Sequence, residues 1–233
     1  MAKPVCVIVG IGPGNGAALV RRFAEAGYAV AMTARSTALG EKLAGEIADA
    51  RFYPCDAGDV AAMTATFEAI ARDLGPVDVL IYNGGAGIWG NVEEISAEGF
   101  ETSWRSNALG LLTASQAVIP AMKRKKQGSI IVIGATASRR GNVMTAAFAP
   151  AKAAQRSLAE SMARYLWPQG IHVALIVIDG VVDMPRTRQS RSDKPDSFFV
   201  KPEDVAANAL WLVEQPVSAW SFEIEARPFG ENW

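Results

Sequence analysis

The chain has 233 residues, half of them hydrophobic and a fifth charged, and 23 basic against 24 acidic residues leave a net charge of −1. Such a length buries a large core and allows one or two domains. The near-neutral balance argues against nucleic acid as the main partner, and the apolar fraction excludes a disordered chain. One histidine, His172, and four tyrosines, Tyr28, Tyr53, Tyr82 and Tyr165, make a small stock of the groups that most oxidoreductase and hydrolase sites use.

The run Val5–Val9 is short, β-branched and followed by glycines, so it reads as a buried strand. It is too short for a secretory leader, and no stretch approaches the roughly 20 apolar residues that span a bilayer. Cys6 and Cys55 make no disulfide framework. A cytoplasmic protein without membrane contact is expected. A helix follows over 17–26, with Leu19, Val20 and Phe23 on one face and Arg21, Arg22 and Glu25 on the other. Then come strand 28–33, helix 37–48, strand 51–55, helix 59–74 with Asp59 as its cap, and strand 77–82. A single long helix is expected over 100–125, with capping near Ser96. Strand 129–133, helix 146–167, strand 171–178, helix 202–214 and a short strand 222–225 complete the chain.

Strands alternating with helices of ten or more residues imply βαβ units. The strands are apolar throughout, as a sheet buried on both faces requires. The expected fold is therefore α/β: one Rossmann-type doubly wound parallel domain of about seven strands, with helices on both faces. The stretch 183–201, rich in Arg, Ser, Pro and Asp, is either a solvated loop or a lid over the carboxyl ends of the strands, where ligands bind in such sheets.

The first strand enters Gly10-Ile11-Gly12-Pro13-Gly14-Asn15-Gly16 and then a helix. Glycines let the backbone approach a pyrophosphate, and the helix N-terminus offers free N–H groups and partial positive charge. The pattern fits two dinucleotide fingerprints, Gly12-x-Gly14-x-x-Ala17 and Gly10-x3-Gly14-x-Gly16. The second strand ends Thr33-Ala34-Arg35-Ser36, with Ala34 where NAD sites usually carry an acid. Arg35 can pair a 2′-phosphate with two hydrogen bonds, which favours NADP(H) over NAD(H).

Further segments follow in order. Asp56 follows the third strand, Tyr82-Asn83-Gly84-Gly85 closes the fourth, Asn107 lies in the long helix, and Phe148-Ala149-Pro150-Ala151-Lys152 and Asp179-Gly180 come later. With the glycine turn, this set resembles the short-chain dehydrogenase/reductase family over nearly the whole chain. The resemblance implies cofactor contacts from Gly10, Gly12, Gly14, Asn15, Gly16, Arg35, Ser36, Asp56, Ala57, Asn83, Gly84, Lys152, Gly180 and Val182. It implies no metal. It also implies a homodimer or homotetramer that pairs the 100–125 and 146–167 helices with their symmetry mates.

In that family a tyrosine is the acid/base toward a substrate carbonyl, and a lysine lowers its pKa and binds the nicotinamide ribose. A serine hydrogen-bonds the carbonyl oxygen, and an asparagine holds a water in a proton relay. This chain departs at two of the four positions. Phe148 stands for the tyrosine, and Ala135, thirteen residues earlier, stands for the serine. Asn107 and Lys152 remain. A phenyl ring has no proton to give and a methyl group cannot bond an oxyanion; the two losses are worth about 10²–10⁴-fold and 10²–10³-fold, without simple additivity. The pattern resembles an atypical subgroup with Phe-x3-Lys.

Thr136, Ser138 and Thr145 are candidate substitute hydroxyls, or plain loop and cap residues. Lys152 is a candidate donor through water if its pKa is lowered. Arg139 and Arg140, with Arg186, Arg188, Arg191 and Lys194, either favour an anionic substrate or cofactor phosphate, or form a solvated surface. His172 and Tyr165 are assigned to structure and surface. Two functions follow: an NADP(H)-dependent oxidoreductase for a small carbonyl or alcohol, with a non-standard active site, or a catalytically silent NADP(H)-binding sensor or partner subunit.

Overall fold

The structure, a computed structural model, describes residues 2–85 and 87–230. In chain order the elements are β1 (Val5–Val9), α1 (Asn15–Glu25), β2 (Ala29–Ala34), α2 (Thr37–Glu46), β3 (Ala50–Pro54), α3 (Val60–Leu74), β4 (Val77–Tyr82), α4 (Ala97–Trp104) and α5 (Gly110–Lys125). They continue with β5 (Gly128–Ala135), α6 (Phe148–Leu166), β6 (Ile171–Ile178), β7 (Val181–Val182), α7 (Pro185–Ser190), β8 (Phe199–Val200), α8 (Pro202–Glu214) and β9 (Glu223–Ala226). Seven strands form one parallel sheet in the order β3-β2-β1-β4-β5-β6-β9. The order reverses between β1 and β4, and that reversal opens a crevice at the carboxyl ends of both strands.

Alternation along β1 explains why both faces are covered. Val5, Val7 and Val9 pack with Phe67 of α3, Leu111 and Val118 of α5 and Met162 of α6. Cys6 and Ile8 face the other way, toward Leu19 and Phe23 of α1, Leu43 of α2 and Val205 of α8. Each large apolar side chain so buried contributes about 1.5–3 kcal/mol. Asp59 caps α3 through its carboxylate, which accepts from Ala62 N at 3.0 Å. Ser96 caps α4 in the same way from Gly99 N. No helix among the described residues is long and apolar enough to cross a membrane.

Two expectations need correction. The helix expected over 100–125 runs without a gap from Ala97 to Lys125, but it is not uniformly α: a π-helical turn at Arg105–Leu109 lies between α4 and α5. Side chains hold main-chain carbonyls at this turn. Ser103 O accepts from Asn107 Nδ2 at 2.8 Å, Ser106 O from the Tyr82 hydroxyl at 2.6 Å, and Asn107 O from Gln155 Nε2 at 3.0 Å. Such widened turns are frequent at functional sites. The stretch 183–201 is also not irregular. It contains α7, and its end, β8, pairs in parallel with β7.

Candidate functional site

The crevice between β1 and β4 is a cleft of about 370 Å³ lined by Gly10–Gly12 of the glycine turn, Thr33–Ser36, Cys55–Ala57, Asn83–Gly85 and Ser106. Gly10 N and Ile11 N both donate to Thr33 O at 3.0 Å, which folds the turn over the end of β2. Gly10 has φ +86°, and a Cβ there would lie 2.5 Å from Gly84 Cα. A Cβ on Gly16 would lie 2.5 Å from Ile11 Cα. These two glycines are demanded by the protein's own backbone. Gly12 is different: a Cβ there meets nothing within 4 Å and its φ is ordinary. Nothing in the chain itself requires a glycine there, and its absence of a side chain leaves the main chain open to close approach by a ligand.

Asn83 Nδ2 donates to Gly10 O at 2.5 Å and ties β4 to the turn. At the far lip Arg35 and Ser36 are exposed, and Arg35 makes no ion pair among the described residues. Asp56 closes that side, its carboxylate accepting from Gly58 N at 2.8 Å. Val182 Cγ1 would stand 3.4 Å from a Cβ on Gly14, so the segment after β6 comes down beside the glycine turn. Asn15 Oδ1 is buried without a partner among the described residues. The residues present fit a dinucleotide: a glycine-lined main-chain cradle at a helix N-terminus, a cation at one lip and an acid beside it.

The other end of the site lies where β5, α6 and the π turn meet. Phe148, in the first turn of α6, packs on Trp89 with ring centroids 5.0 Å apart. Trp89 is 56% exposed, so an aromatic wall borders this end of the site. Ala135 ends β5 and offers only a methyl group. One turn beyond Phe148, Lys152 is buried at 7% exposure, its Nζ 5.8 Å from the Phe148 ring centroid. The ammonium donates to Ile133 O at 3.1 Å and to Gln155 Oε1 at 2.9 Å. Burial lowers its pKa from 10.5 to about 8.

Two of the three candidate hydroxyls are engaged elsewhere. Thr136 Oγ1 lies 2.5 Å from Asp179 Oδ1 and 3.1 Å from Ile178 O, and a hydroxyl has one proton to give. Thr145 Oγ1 accepts from Asn142 N and donates to Asn142 O, stapling its own loop. Ser138 Oγ is buried and has no partner among the described residues. Asp179 is pushed up by burial, but hydrogen bonds from Thr136 and Arg227 outweigh that and hold its carboxyl below the ordinary value. Gly180 follows, packed against Pro228.

The arginines divide into two groups. Arg139 is spent on Glu223 and Glu225, while Arg188 forks onto Asp183, reaches Asp196 and lies over the Phe199 ring at 4.1 Å. Much of the positive charge read from the sequence in these stretches is therefore neutralised within the protein. Arg140 stays largely free, 3.9 Å from Asp179, and Arg186 and Arg191 make no ion pair among the described residues. His172 lies at the opposite end of the sheet, buried, its ring nitrogens 3.1 and 2.9 Å from Leu212 O and Ser221 O. Tyr165 is exposed and accepts from Lys123 Nζ. Trp89 and Gln155 escape sequence reasoning. Their one signal is an aromatic inside a glycine-rich segment and an amide three residues after Lys152.

Comparison with known proteins agrees with this architecture. The family model for short chain dehydrogenase matches residues 4–195. The chain is 31% identical over 210 residues to inactive 2-(S)-hydroxypropyl-CoM dehydrogenase 2 of Xanthobacter autotrophicus, covering 84% of this chain and 91% of that one. It superposes on a short-chain dehydrogenase from Rhodopseudomonas palustris with TM-score 0.81 and 34% identity, over 97% and 99% of the two chains. A metagenomic short-chain oxidoreductase in complex with NADP gives TM-score 0.84 at 25% identity, over 99% of each chain. A glycine-lined crevice at the strand reversal, a matching family model and relatives spanning nearly the whole fold together make this chain a member of the short-chain dehydrogenase family.

Proposed function

We propose that the protein is an NADP(H)-dependent oxidoreductase acting on a small carbonyl or alcohol through a non-standard active site. The observation that carries this is the pairing of an open dinucleotide cradle, with free Arg35 at its lip, and a buried Lys152 at the other end of the site. Bound NADPH would supply or accept the hydride. The Gly10–Gly16 turn, Asn83 and Asp56 would hold the nucleotide, Arg35 and Ser36 its 2′-phosphate, and Gly180 and Val182 the nicotinamide side. The NADP complex of the metagenomic relative supports the choice of nucleotide. The segment 183–201 would act as a lid, and a homodimer or homotetramer remains the expectation from the family.

A second reading is favoured by specific observations. Phe148 and Ala135 offer no proton, Thr136 and Thr145 spend theirs within the protein, and the Xanthobacter relative is named as inactive. On this reading the chain binds NADP(H) without turning over.

One experiment separates the two. Phe148→Tyr combined with Ala135→Ser is assayed with NADPH against a panel of small carbonyls beside the parent chain. A parent that turns over and is weakened by Lys152→Ala supports the enzyme. A silent parent and a gain of about 10²-fold or more in the double variant support the binding module. If NADPH fails to raise the melting temperature of the parent, the nucleotide assignment is wrong for both.

A further inference from the structure

Lys152, Gln155 and Asn107 form a buried chain that none of the motif residues predicts. Gln155 is fully buried and sits three residues after Lys152, hence on the same face of α6. Its amide is used at both ends: Oε1 accepts from Lys152 Nζ at 2.9 Å and Nε2 donates to Asn107 O at 3.0 Å. A buried glutamine is costly unless both ends are satisfied, and here both are. The arrangement bridges the lysine to the π turn. Two of the three ammonium N–H groups are then fixed, by Ile133 O and by Gln155. One is left for a ligand.

We propose that Gln155 is a positioning residue that makes Lys152 the acid–base group of this site, in place of the missing phenol. The inference rests on the oxidoreductase reading given above. Among the donors at this end, Phe148 and Ala135 have no proton to give, Thr136 and Thr145 are committed to Asp179 and Asn142, and Ser138, though unpartnered among the described residues, carries only an alcohol proton, far less acidic than an ammonium. Lys152 retains an N–H. In carbonyl reduction, hydride adds to the carbonyl carbon as the C=O π pair moves onto oxygen. The oxygen takes a proton from Lys152 Nζ, directly or through one water, and the neutral amine is reprotonated from solvent.

The choice of an amide at position 155 matters for that role. A carboxylate would hold the ammonium charged, and an apolar side chain would leave it short of an acceptor. A neutral amide orients the nitrogen while burial keeps its pKa near the working range. The groups facing Nζ are Ile133 O from β5, Gln155 and the Phe148 ring from α6, with Asn107 of the π turn behind the amide. None of them titrates in the relevant range, and no carboxylate pairs with Lys152 among the described residues.

The test follows the lysine nitrogen directly. Full-length protein labelled with 15N-lysine is titrated by NMR, with Lys152→Met assigning the signal. Gln155→Glu, nearly isosteric, is expected to raise the Lys152 midpoint by at least about one pH unit, and Gln155→Leu to lower it. An active parent should show the same displacements in the pH profile of kcat. Midpoints that coincide in parent and Gln155→Glu overturn the proposal even if Gln155→Leu fails to fold. An active parent whose kcat profile ignores the nitrogen's midpoint also overturns it. The titration needs no cofactor, whereas an NADPH melting shift is read separately, so loss of the nucleotide assignment is seen as such.

Discussion

The two ends of the crevice teach different things. At the β1–α1 end the main chain does the work: glycines are demanded by close approach, and Asn83 braces the turn through Gly10 O. At the β5–α6 end the side chains dominate: Phe148 packs on Trp89 and lies beside one buried ammonium, and Ala135 offers only a methyl group. The first end is set by the path of the chain, the second by a few side-chain ends.

The largest expected effect tests the first end. Gly16→Ala places a Cβ 2.5 Å from Ile11 Cα, where backbone and not a flexible side chain must yield. It should abolish the NADPH melting shift and lower the melting temperature of the free protein; an unaltered shift would show that the turn is not the cradle.

At the other end, Lys152→Met probes the buried charge. The folded pKa of about 8 lies below the ordinary lysine value of 10.5, so between these values the unfolded chain holds a proton that the folded one does not. The parent therefore gains stability as pH rises through this window, by about 3 kcal/mol in all. Relative to the parent, Lys152→Met should lose that amount between pH 8 and 10.5 in denaturant unfolding. A pH-independent difference would mean the lysine is not held as described.

Arg35→Ala sharpens the comparison at the lip. A bidentate charge-assisted pair contributes about 1.5–3 kcal/mol, so NADPH affinity should fall roughly ten- to a hundred-fold while NADH affinity holds, by calorimetry. The smallest effect serves as a control outside both ends: Asp59→Ala removes a helix cap and should cost about 1 kcal/mol without altering nucleotide binding.

Much of the fold was legible in the chain itself. Apolar runs of five to eight residues, glycines after the first and amphipathic helices between them specify a parallel sheet covered on both faces, because burial is local in period and repeated along the chain. The ordered motifs also specified the family. The Asp59 and Ser96 caps were readable for the same reason: a cap is a contact within three residues.

What the tertiary structure alone decided involves partners far apart in sequence. The π turn depends on Tyr82 and Gln155 reaching carbonyls 24 and 48 residues away, and no local pattern in 100–125 announces it. Arg188 and Arg139 looked like free positive charge until folding brought Asp183, Asp196, Glu223 and Glu225 to them. Thr136 looked like a spare hydroxyl until Asp179 arrived from the end of β6. Periodicity dictates which face a residue takes. Which hydrogen bond it makes there is set by strand order and by whichever group the crossover connections deliver, and that was the part the chain alone did not reveal.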